Sequence, residues 1–297
     1  MASVCPTILL TGARGQLGRE LAAVLPDVGD VVACDRSTLD LADPAAIADV
    51  VRRVRPRIIV NAAAYTGVDR AESERETALV INARAPAVLA DEARRANAML
   101  IHYSTDYVFD GRQTTPYDES APTHPINAYG ESKLAGEQAV MASGASAITL
   151  RTSWVYGRHG QNFLMTMQNL ATRQSRLRVV ADQTGVPNWS RAIARATSRM
   201  IGDAGERLAE RAGLYHLSAA GSTTWYGFAR AILDGRGVEV TPIATADYPV
   251  AARRPAYGVL DATRFARTFG FALPDWQTLL QQCLRADAEP PSGMAVH

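Results

Sequence analysis

Short apolar runs alternate with segments of helical periodicity through the first half of the chain. The apolar runs predict strands at residues 7–11, 31–34, 58–63, 100–104 and 147–151. The segments between them predict a first helix from about residue 18 to about residue 25 and further helices at residues 44–54, 85–97 and 131–142. Strands that are apolar along their whole length are buried on both faces, so this alternation predicts an α/β fold built on a doubly wound parallel sheet.

The pattern loosens after residue 151. Further helices are predicted at residues 162–173, 190–202, 224–233, 263–270 and 276–284, with strands at 177–180 and 215–218. We therefore expect a first α/β domain over residues 1–152 and a smaller C-terminal α/β domain, mainly residues 153–285. Some segments of the second domain are expected to return to the first. Residues 286–297, rich in Ala, Pro and Gly, are predicted to form a flexible tail.

Composition excludes several classes of function. The 297 residues carry a net charge of +1 and 21% charged side chains, so no overall field draws the protein to nucleic acid or to an anionic membrane. Cys5, Cys34 and Cys283 are few and far apart, which fits neither a disulfide framework nor a metal site. No apolar run has transmembrane length, and no signal sequence is recognisable at the N-terminus. We expect a cytoplasmic protein.

A glycine-rich loop follows the first predicted strand and precedes the first helix. Its sequence, GARGQLG, runs from Gly12 to Gly18, with the middle glycine at Gly15. Glycines at a strand-to-helix turn let the backbone approach a pyrophosphate, whose charge meets the helix N-terminus. This placement predicts a Rossmann-type dinucleotide-binding domain, in which Gln16 and Leu17 also line the cofactor site.

An acidic residue follows the second predicted strand, where it can bind the ribose hydroxyls of the adenosine. Asp35 lies at this point and favours NADH, whereas the next residue, Arg36, can pair with the 2′-phosphate of NADPH. The pair predicts that either cofactor is used. The other positions that we assign to the cofactor site are Asp40, Leu41, Ala62, Ala63, Ala64, Tyr65 and Ser104.

Tyr129 and Lys133 are four residues apart on one face of a predicted helix. A nearby ammonium favours the phenolate and is expected to lower the pKa of the tyrosine, which suits proton transfer to a carbonyl. Lys133 is also the only lysine among 31 basic residues. Thr105 follows the fourth predicted strand at its carboxyl end and is expected to orient the substrate oxygen. We predict Thr105, Tyr129 and Lys133 as the catalytic residues.

These residues resemble the extended short-chain dehydrogenase/reductase superfamily and, within it, the dTDP-4-dehydrorhamnose reductase family. The resemblance extends from the glycine loop to about residue 284. Its specific stretches are GQLG at 15–18, residues 61–65, VDRAE at 68–72, HYSTDYVF at 102–109, YGESKLAGE at 129–137, RTSWVY at 151–156 and GLYHL at 213–217. It implies that NADPH or NADH reduces C4 of dTDP-4-dehydro-L-rhamnose, that Tyr129 protonates the new alkoxide and that Lys133 holds the nicotinamide ribose.

The resemblance also implies a nucleotide-sugar site in the second domain. Trp154 would lie beside the thymine base, and Arg254 would meet the diphosphate. The remaining residues expected at this site are Thr105, Asp106, Tyr107, Asn162, Phe163 and Gln183. Some relatives bind Mg²⁺ through glutamates at a dimer interface; Glu20 matches one such position, but Arg191 occupies another and would repel a metal. We therefore expect no metal, and a monomer or weak homodimer.

Two other functions stay open at this point. A nucleotide-sugar 4,6-dehydratase needs a second acid after the one that follows the catalytic threonine, and here Asp106 is followed by Tyr107. A 4-epimerase of the same superfamily would carry tightly bound NAD⁺. A non-catalytic regulatory or binding subunit, like the regulatory subunits of methionine adenosyltransferase, would keep the fold without turnover. The intact Thr105, Tyr129 and Lys133 argue against lost chemistry.

Overall fold

The computed structural model describes residues 5–286. The predicted flexible tail, residues 286–297, lies outside the described residues apart from Ala286. The strands, in chain order, are β1 (Thr7–Thr11), β2 (Asp30–Cys34), β3 (Ile58–Asn61), β4 (Met99–Thr105), β5 (Ala147–Thr152), β6 (Val155–Tyr156), β7 (Arg176–Val180), β8 (Thr184–Gly185), β9 (Asn188–Trp189), β10 (Gly213–His216), β11 (Thr223–Thr224) and β12 (Glu239–Ile243).

The α-helices complete the architecture. They are α1 (Gln16–Val24), α2 (Pro44–Val54), α3 (Val68–Ala71), α4 (Arg75–Leu79), α5 (Ala85–Ala96), α6 (Ala128–Ala142), α7 (Phe163–Ala171), α8 (Ser190–Ala204), α9 (Trp225–Ile232), α10 (Thr263–Phe269) and α11 (Trp276–Arg285). Several of these helices have a polar side chain at the N-terminus that accepts hydrogen bonds from the first backbone N–H groups. The Asp43 carboxylate, for example, accepts hydrogen bonds from the first backbone N–H groups of α2, and Pro44 follows it at the first helical position.

Six strands form one parallel sheet in the order β10-β5-β4-β3-β1-β2. This confirms the predicted fold class. Strand β1 shows why the sheet needs cover on both faces, because Ile8, Leu9 and Leu10 are all fully buried. Ile8 and Leu10 belong to one apolar cluster and Leu9 to another, as the alternation of side chains across a sheet requires.

Part of the chain after β5 returns to the main sheet and its helices. Strand β10 pairs with β5 at the edge of the main sheet, and α8 packs against α1. The remaining pairs are small sheets of two strands, β7 with β12, β8 with β11 and β6 with β9. The sheet and its helices thus draw on both halves of the sequence, and the division of the chain at residue 152 stays a prediction.

Several elements differ from the sequence-based expectation. Helices α3 and α4, the strand β12 and the π-helical turn Val80–Arg84 between α4 and α5 were not predicted. Strand β10 ends at His216, two residues before the expected end at residue 218. Among the described residues, no helix is both long and apolar enough to cross a membrane. Cys5, Cys34 and Cys283 form no disulfide with one another.

Candidate active site

A cleft of about 1050 Å³ lies at the carboxyl ends of the central strands. Thr11, Thr105 and Thr152 mark the ends of three of these strands on its wall. This is the edge of an open α/β sheet at which ligands bind. The volume lies at the upper end of the range of small-molecule sites, and so suits a dinucleotide together with part of a second ligand.

The glycine loop forms one end of the cleft. Gly12 has φ of +70°, and a Cβ there would lie 2.7 Å from the backbone of Ala63. A Cβ on Gly18 would lie 2.0 Å from the carbonyl oxygen of Gly12. The loop can therefore pack this tightly only with glycine at both positions. Gly15 precedes the first turn of α1, whose free N–H groups point to where a pyrophosphate would bind.

Asp35 lies on the cleft wall after β2, with its carboxylate already engaged. It accepts hydrogen bonds from Ser37 N at 2.8 Å and Ser37 Oγ, and Arg14 Nε lies 2.6 Å from its other oxygen. The hydrogen bonds from Ser37 lower the pKa of Asp35 below its usual value, and Arg14 contributes further. Arg14 was not among the predicted site residues, although its place inside the glycine loop is a usable signal.

The three predicted catalytic residues lie together on the cleft wall. Thr105 ends β4, and its hydroxyl is close enough to Tyr129, at the start of α6, to lower the pKa of that phenol. One helical turn later, Lys133 Nζ donates to the carbonyl oxygen of Tyr103 at 2.7 Å. Lys133 is only 2% exposed, and burial lowers its pKa to about 8. Asn127 starts α6 by accepting a hydrogen bond from Gly130 N at 2.8 Å, which fixes the helix that carries both residues.

The pKa of Tyr129 does not follow the expectation from the Tyr-Lys spacing. Burial raises it well above the usual value, the hydrogen bond from Thr105 opposes this rise, and the Asp106 charge adds to it. The physical reason is that Tyr129 is partly buried, while one proton of the Lys133 ammonium is directed at a backbone carbonyl. In this state the phenol keeps its proton.

Asp106 is the most unusual carboxyl group of the cleft. It is 2% exposed, and Thr105 Oγ1 lies 3.0 Å from its Oδ1. Burial raises its pKa to about 7, against the lowering effect of the Thr105 hydrogen bond. A carboxyl group at this pKa is partly protonated near neutral pH.

Buried polar atoms without a partner also line the cleft. Gln16 Oε1, Ser104 Oγ and Thr152 Oγ1 have no hydrogen bond among the described residues. Buried polar atoms are normally satisfied, so three of them on one wall indicate a polar ligand. Ser104 directly follows Tyr103, whose carbonyl oxygen accepts the hydrogen bond from Lys133. Thr152 was not among the predicted residues, because strand residues of this type are too common to stand out in a sequence.

The structure brings most of the predicted site residues together. Every predicted cofactor position except Gly18 lines the cleft, as do Asp106, Tyr107 and Trp154 of the predicted substrate set. Gly18 lies behind the loop against Gly12. Trp154 has φ of +41°, and its ring stacks on Trp225 with centroids 3.5 Å apart and planes 7° from parallel.

Four predicted substrate residues do not line the cleft. Asn162 caps α7 by accepting from Met165 N, and Phe163 packs on Trp225 at 4.6 Å between centroids. Gln183 Nε2 donates to Thr245 Oγ1 at 2.9 Å. Arg254 donates through Nη2 to Asp69 Oδ2 at 2.8 Å rather than into the cleft. Their roles toward substrate stay predictions.

The residues considered for a metal are otherwise engaged. Glu20 is buried, and its Oε2 accepts a hydrogen bond from Arg191 Nε at 2.8 Å. Within the described part of the chain, no group of three or more His, Cys, Asp or Glu side chains is placed to hold a metal ion.

The chain is similar to known proteins over nearly its whole length. A family model described as the RmlD substrate binding domain matches residues 6–288. A dTDP-4-dehydrorhamnose reductase of Burkholderia thailandensis is 45% identical over 94% of this chain and 98% of its own length. A probable dTDP-4,6-dihydroxy-2-methyloxan-3-one 4-ketoreductase of Streptomyces antibioticus is 41% identical over 96% of this chain and 97% of its own.

A solved structure resembles this one over nearly its whole length. The crystal structure of dTDP-4-dehydrorhamnose reductase from Bacillus anthracis in complex with NADP has a TM-score of 0.88 and 36% sequence identity. The match covers 95% of this chain and 100% of that one. The chain therefore belongs to the dTDP-4-dehydrorhamnose reductase family of NAD(P)-dependent oxidoreductases.

Proposed function

We propose that the protein reduces the C4 keto group of dTDP-4-dehydro-L-rhamnose to give dTDP-L-rhamnose, with NADPH or NADH as cofactor. The observation that carries the proposal is that Thr105, Tyr129 and Lys133 share one cleft with the glycine loop at the N-terminus of α1. A proton donor and a dinucleotide cradle in one cleft suit the reduction of a ketone. The relatives named for this reaction support the choice of sugar.

The cofactor would lie along the wall formed by the glycine loop, Asp35 and Ser104. When bound, NAD(P)H supplies the hydride that C4 receives. Lys133 donates one proton to Tyr103 O, so two ammonium protons are left for ribose hydroxyls. Tyr129 donates its phenolic proton to the C4 oxygen, and Thr105 hydrogen-bonds the same oxygen. Atoms balance: C4 gains hydride, and the oxygen gains the proton that Tyr129 loses.

The protonation states of Tyr129 and Lys133 suit the protonation step of a reduction. A proton donor must hold its proton until the oxygen becomes basic, and burial raises the pKa of Tyr129. Lys133, with a pKa lowered to about 8, is still mainly an ammonium at neutral pH. It therefore stabilises the negative charge that Tyr129 carries after proton transfer.

A second candidate is reduction of a related dTDP-linked keto sugar. The Streptomyces relative is named as a 4-ketoreductase of a different dTDP compound at nearly the same identity as the reductases. Both candidates use the same donor, acceptor atom and cofactor, and differ in the sugar alone. The 4,6-dehydratase alternative lacks its second acid, because Tyr107 follows Asp106.

The deciding experiment follows cofactor absorbance with dTDP-4-dehydro-L-rhamnose generated in place by the upstream enzymes. Oxidation of NADPH or NADH that requires both the sugar and this protein is the expected result. Tyr129→Phe should lose about 10²-fold or more in kcat with cofactor binding retained. Tyr248→Phe is the matched control, since Tyr248 is 59% exposed and lies outside the cleft.

Other results would reject the proposal. Wild-type turnover in Tyr129→Phe would remove Tyr129 from the donor role. Purification with a full complement of NAD⁺ and no net oxidation would favour an epimerase. Absence of turnover with both keto sugars, together with stable capture of an enzyme partner, would favour a regulatory subunit. The cytoplasmic location and the monomer or weak homodimer stay predictions, which cell fractionation and light scattering can test.

A further inference from the structure

Asp106 is a buried acid without a counter-charge. None of the ion pairs formed by the described residues includes it. A Cβ on Gly258 would lie 2.5 Å from Asp106 Oδ2, so the Gly258 backbone closes that side of the carboxyl group. An ionised carboxylate without a cation is costly in such a place.

Thr105 links this acid to the proton donor. Its Oγ1 lies 3.0 Å from Asp106 Oδ1, accepts a hydrogen bond from Tyr107 N at 3.2 Å, and is close enough to Tyr129 to lower the pKa of that phenol. A hydroxyl group has one proton and two lone pairs. Thr105 can therefore donate in one direction only, toward Asp106 or toward Tyr129 and the reacting oxygen.

The protonation state of Asp106 decides between these directions. If the carboxyl is ionised, it can only accept a hydrogen bond, and Thr105 donates its single hydroxyl proton to it. If the carboxyl is neutral, its O–H donates to Thr105 Oγ1, which then has two hydrogen bonds to accept, from Asp106 and from Tyr107 N. The Thr105 proton is then free to point into the cleft.

We propose that Asp106 is a positioning residue that works in its neutral form: it donates to Thr105 and thereby turns the Thr105 hydroxyl into a donor to the substrate carbonyl oxygen. The inference rests on the proposed reduction of a ketone. Two donors, Thr105 and Tyr129, then converge on the oxygen as negative charge develops. No proton leaves Asp106 or Thr105 in the reaction, since the transferred proton comes from Tyr129.

The groups that face Asp106 support a neutral acid. Tyr107 is its neighbour in the chain and Tyr129 faces it from α6, and burial raises the pKa of both phenols, so neither is charged. The segment around Gly258 presents backbone. Arg254 is bonded to Asp69. Only the Thr105 hydroxyl and the backbone N–H groups of Asp106 and Tyr107 oppose the effect of burial, which raises the pKa of Asp106 to about 7.

The pH profile of kcat for reduction tests the inference. For a group with a pKa of about 7, the protonated fraction falls about 30-fold between about pH 6 and about pH 8.5, so wild-type kcat should fall at least that much. In Asp106→Asn the amide Nδ2 can donate to Thr105 at every pH. Its kcat, relative to its own maximum, should fall only about fourfold, the fall that Lys133 with a pKa of about 8 gives alone.

Two further variants separate positioning from packing. Asp106→Leu fills a similar volume and cannot donate, so its kcat should be low at all pH values while NADPH binding is kept. Asp110→Asn changes an acid of the same loop outside the cleft and should keep the wild-type profile. Equal alkaline falls in wild type and Asp106→Asn, or a full loss of kcat in Asp106→Asn with normal NADPH binding, would overturn the inference.

Infrared difference spectroscopy decides the protonation state without turnover. Wild type minus Asp106→Asn should show the C=O band of a neutral carboxylic acid at about pH 6, and the band should fade as pH rises through about 7. Absence of that band refutes the inference whatever the substrate is. If the band titrates as stated but the dTDP sugar is not reduced, the proposed substrate fails and the protonation of Asp106 stands, to be tested by pH profile on the ketone that the enzyme does reduce.

Discussion

Replacing Glu137 with glutamine would remove one charge from a buried ion pair between β5 and α6, the helix that carries Tyr129 and Lys133. Arg151, on β5, donates from Nε and Nη2 to the two carboxylate oxygens of Glu137 at 2.8 and 2.6 Å. The side chains are 3% and 6% exposed. The Arg151 guanidinium also lies 5.0 Å from the ring centroid of Phe109. The pair therefore joins α6, β5 and the segment after β4.

The expected loss follows from this burial. Breaking a buried pair while one charge stays behind costs about 3–5 kcal/mol, because the remaining ion has lost its compensation. The glutamine oxygen can still accept one N–H from Arg151, so we expect the lower end of that range. Glu239→Gln is the matched control: Glu239 pairs with Arg176 at 2.9 Å, but the side chains are 55% and 68% exposed. An exposed pair of this kind contributes less than about 1 kcal/mol.

Urea unfolding followed by circular dichroism at neutral pH measures both variants against wild type. The reasoning is refuted if Glu137→Gln loses no more stability than Glu239→Gln. That result would mean that Phe109 and His216, which lies 3.5 Å from Arg151 Nη1, are enough to hold the guanidinium. The Glu137 charge also raises the pKa of Lys133 against the effect of burial. Its removal should therefore move the loss of activity that comes from Lys133 to lower pH.

Three further predictions concern the cleft. Asp35→Ala removes the carboxylate that holds Arg14 at 2.6 Å and would repel a 2′-phosphate, so kcat/KM for NADPH relative to NADH should rise about tenfold; an unchanged ratio in paired assays would contradict this. Lys133 is the only lysine, so reductive methylation should modify the N-terminus and Lys133 alone, with NADPH protecting the latter in peptide mass spectra. Trp225→Ala uncovers Trp154, and since a stacked pair contributes about 0.5–1.5 kcal/mol, dTDP should bind a few-fold more tightly by calorimetry; weaker binding would show that Trp225 helps to hold the base.

The parallel sheet could be predicted because each of its central strands appears in the sequence as a short run of consecutive apolar residues. Ile8, Leu9 and Leu10 are apolar in succession, which a strand buried on both faces requires. The elements that were missed carry no such signal. Helices α3 and α4 have four and five residues, too few for a helical period to show. Strand β12 contains Pro242 and lies at the edge of a two-stranded sheet with β7, where proline is tolerated but argues against a strand in sequence.

The candidate site divides in the same way. The glycine loop and the Tyr129–Lys133 spacing are local patterns, and a sequence displays them directly. Contacts between distant parts of the chain cannot be read from local patterns. Trp225 stacks on Trp154, about 70 residues earlier in the chain, and Arg254 hydrogen-bonds Asp69, 185 residues earlier. Both contacts occupy side chains that the sequence had assigned to substrate. Tertiary packing decides which surface a tryptophan or arginine faces, and this orientation cannot be predicted from composition.

The pKa of Tyr129 shows why a correct assignment of residues still needed the fold. Spacing alone places an ammonium one helical turn away and argues for a lowered pKa. Burial has the larger effect on the pKa of Tyr129. The free energy lost when a phenolate is removed from water exceeds the stabilisation by the Lys133 ammonium, which is partly engaged with Tyr103 O. The same burial keeps Asp106 partly neutral next to Thr105. Burial thus favours the protonated forms of the two groups flanking the Thr105 hydroxyl, which is the state that the proposed protonation of a ketone oxygen requires.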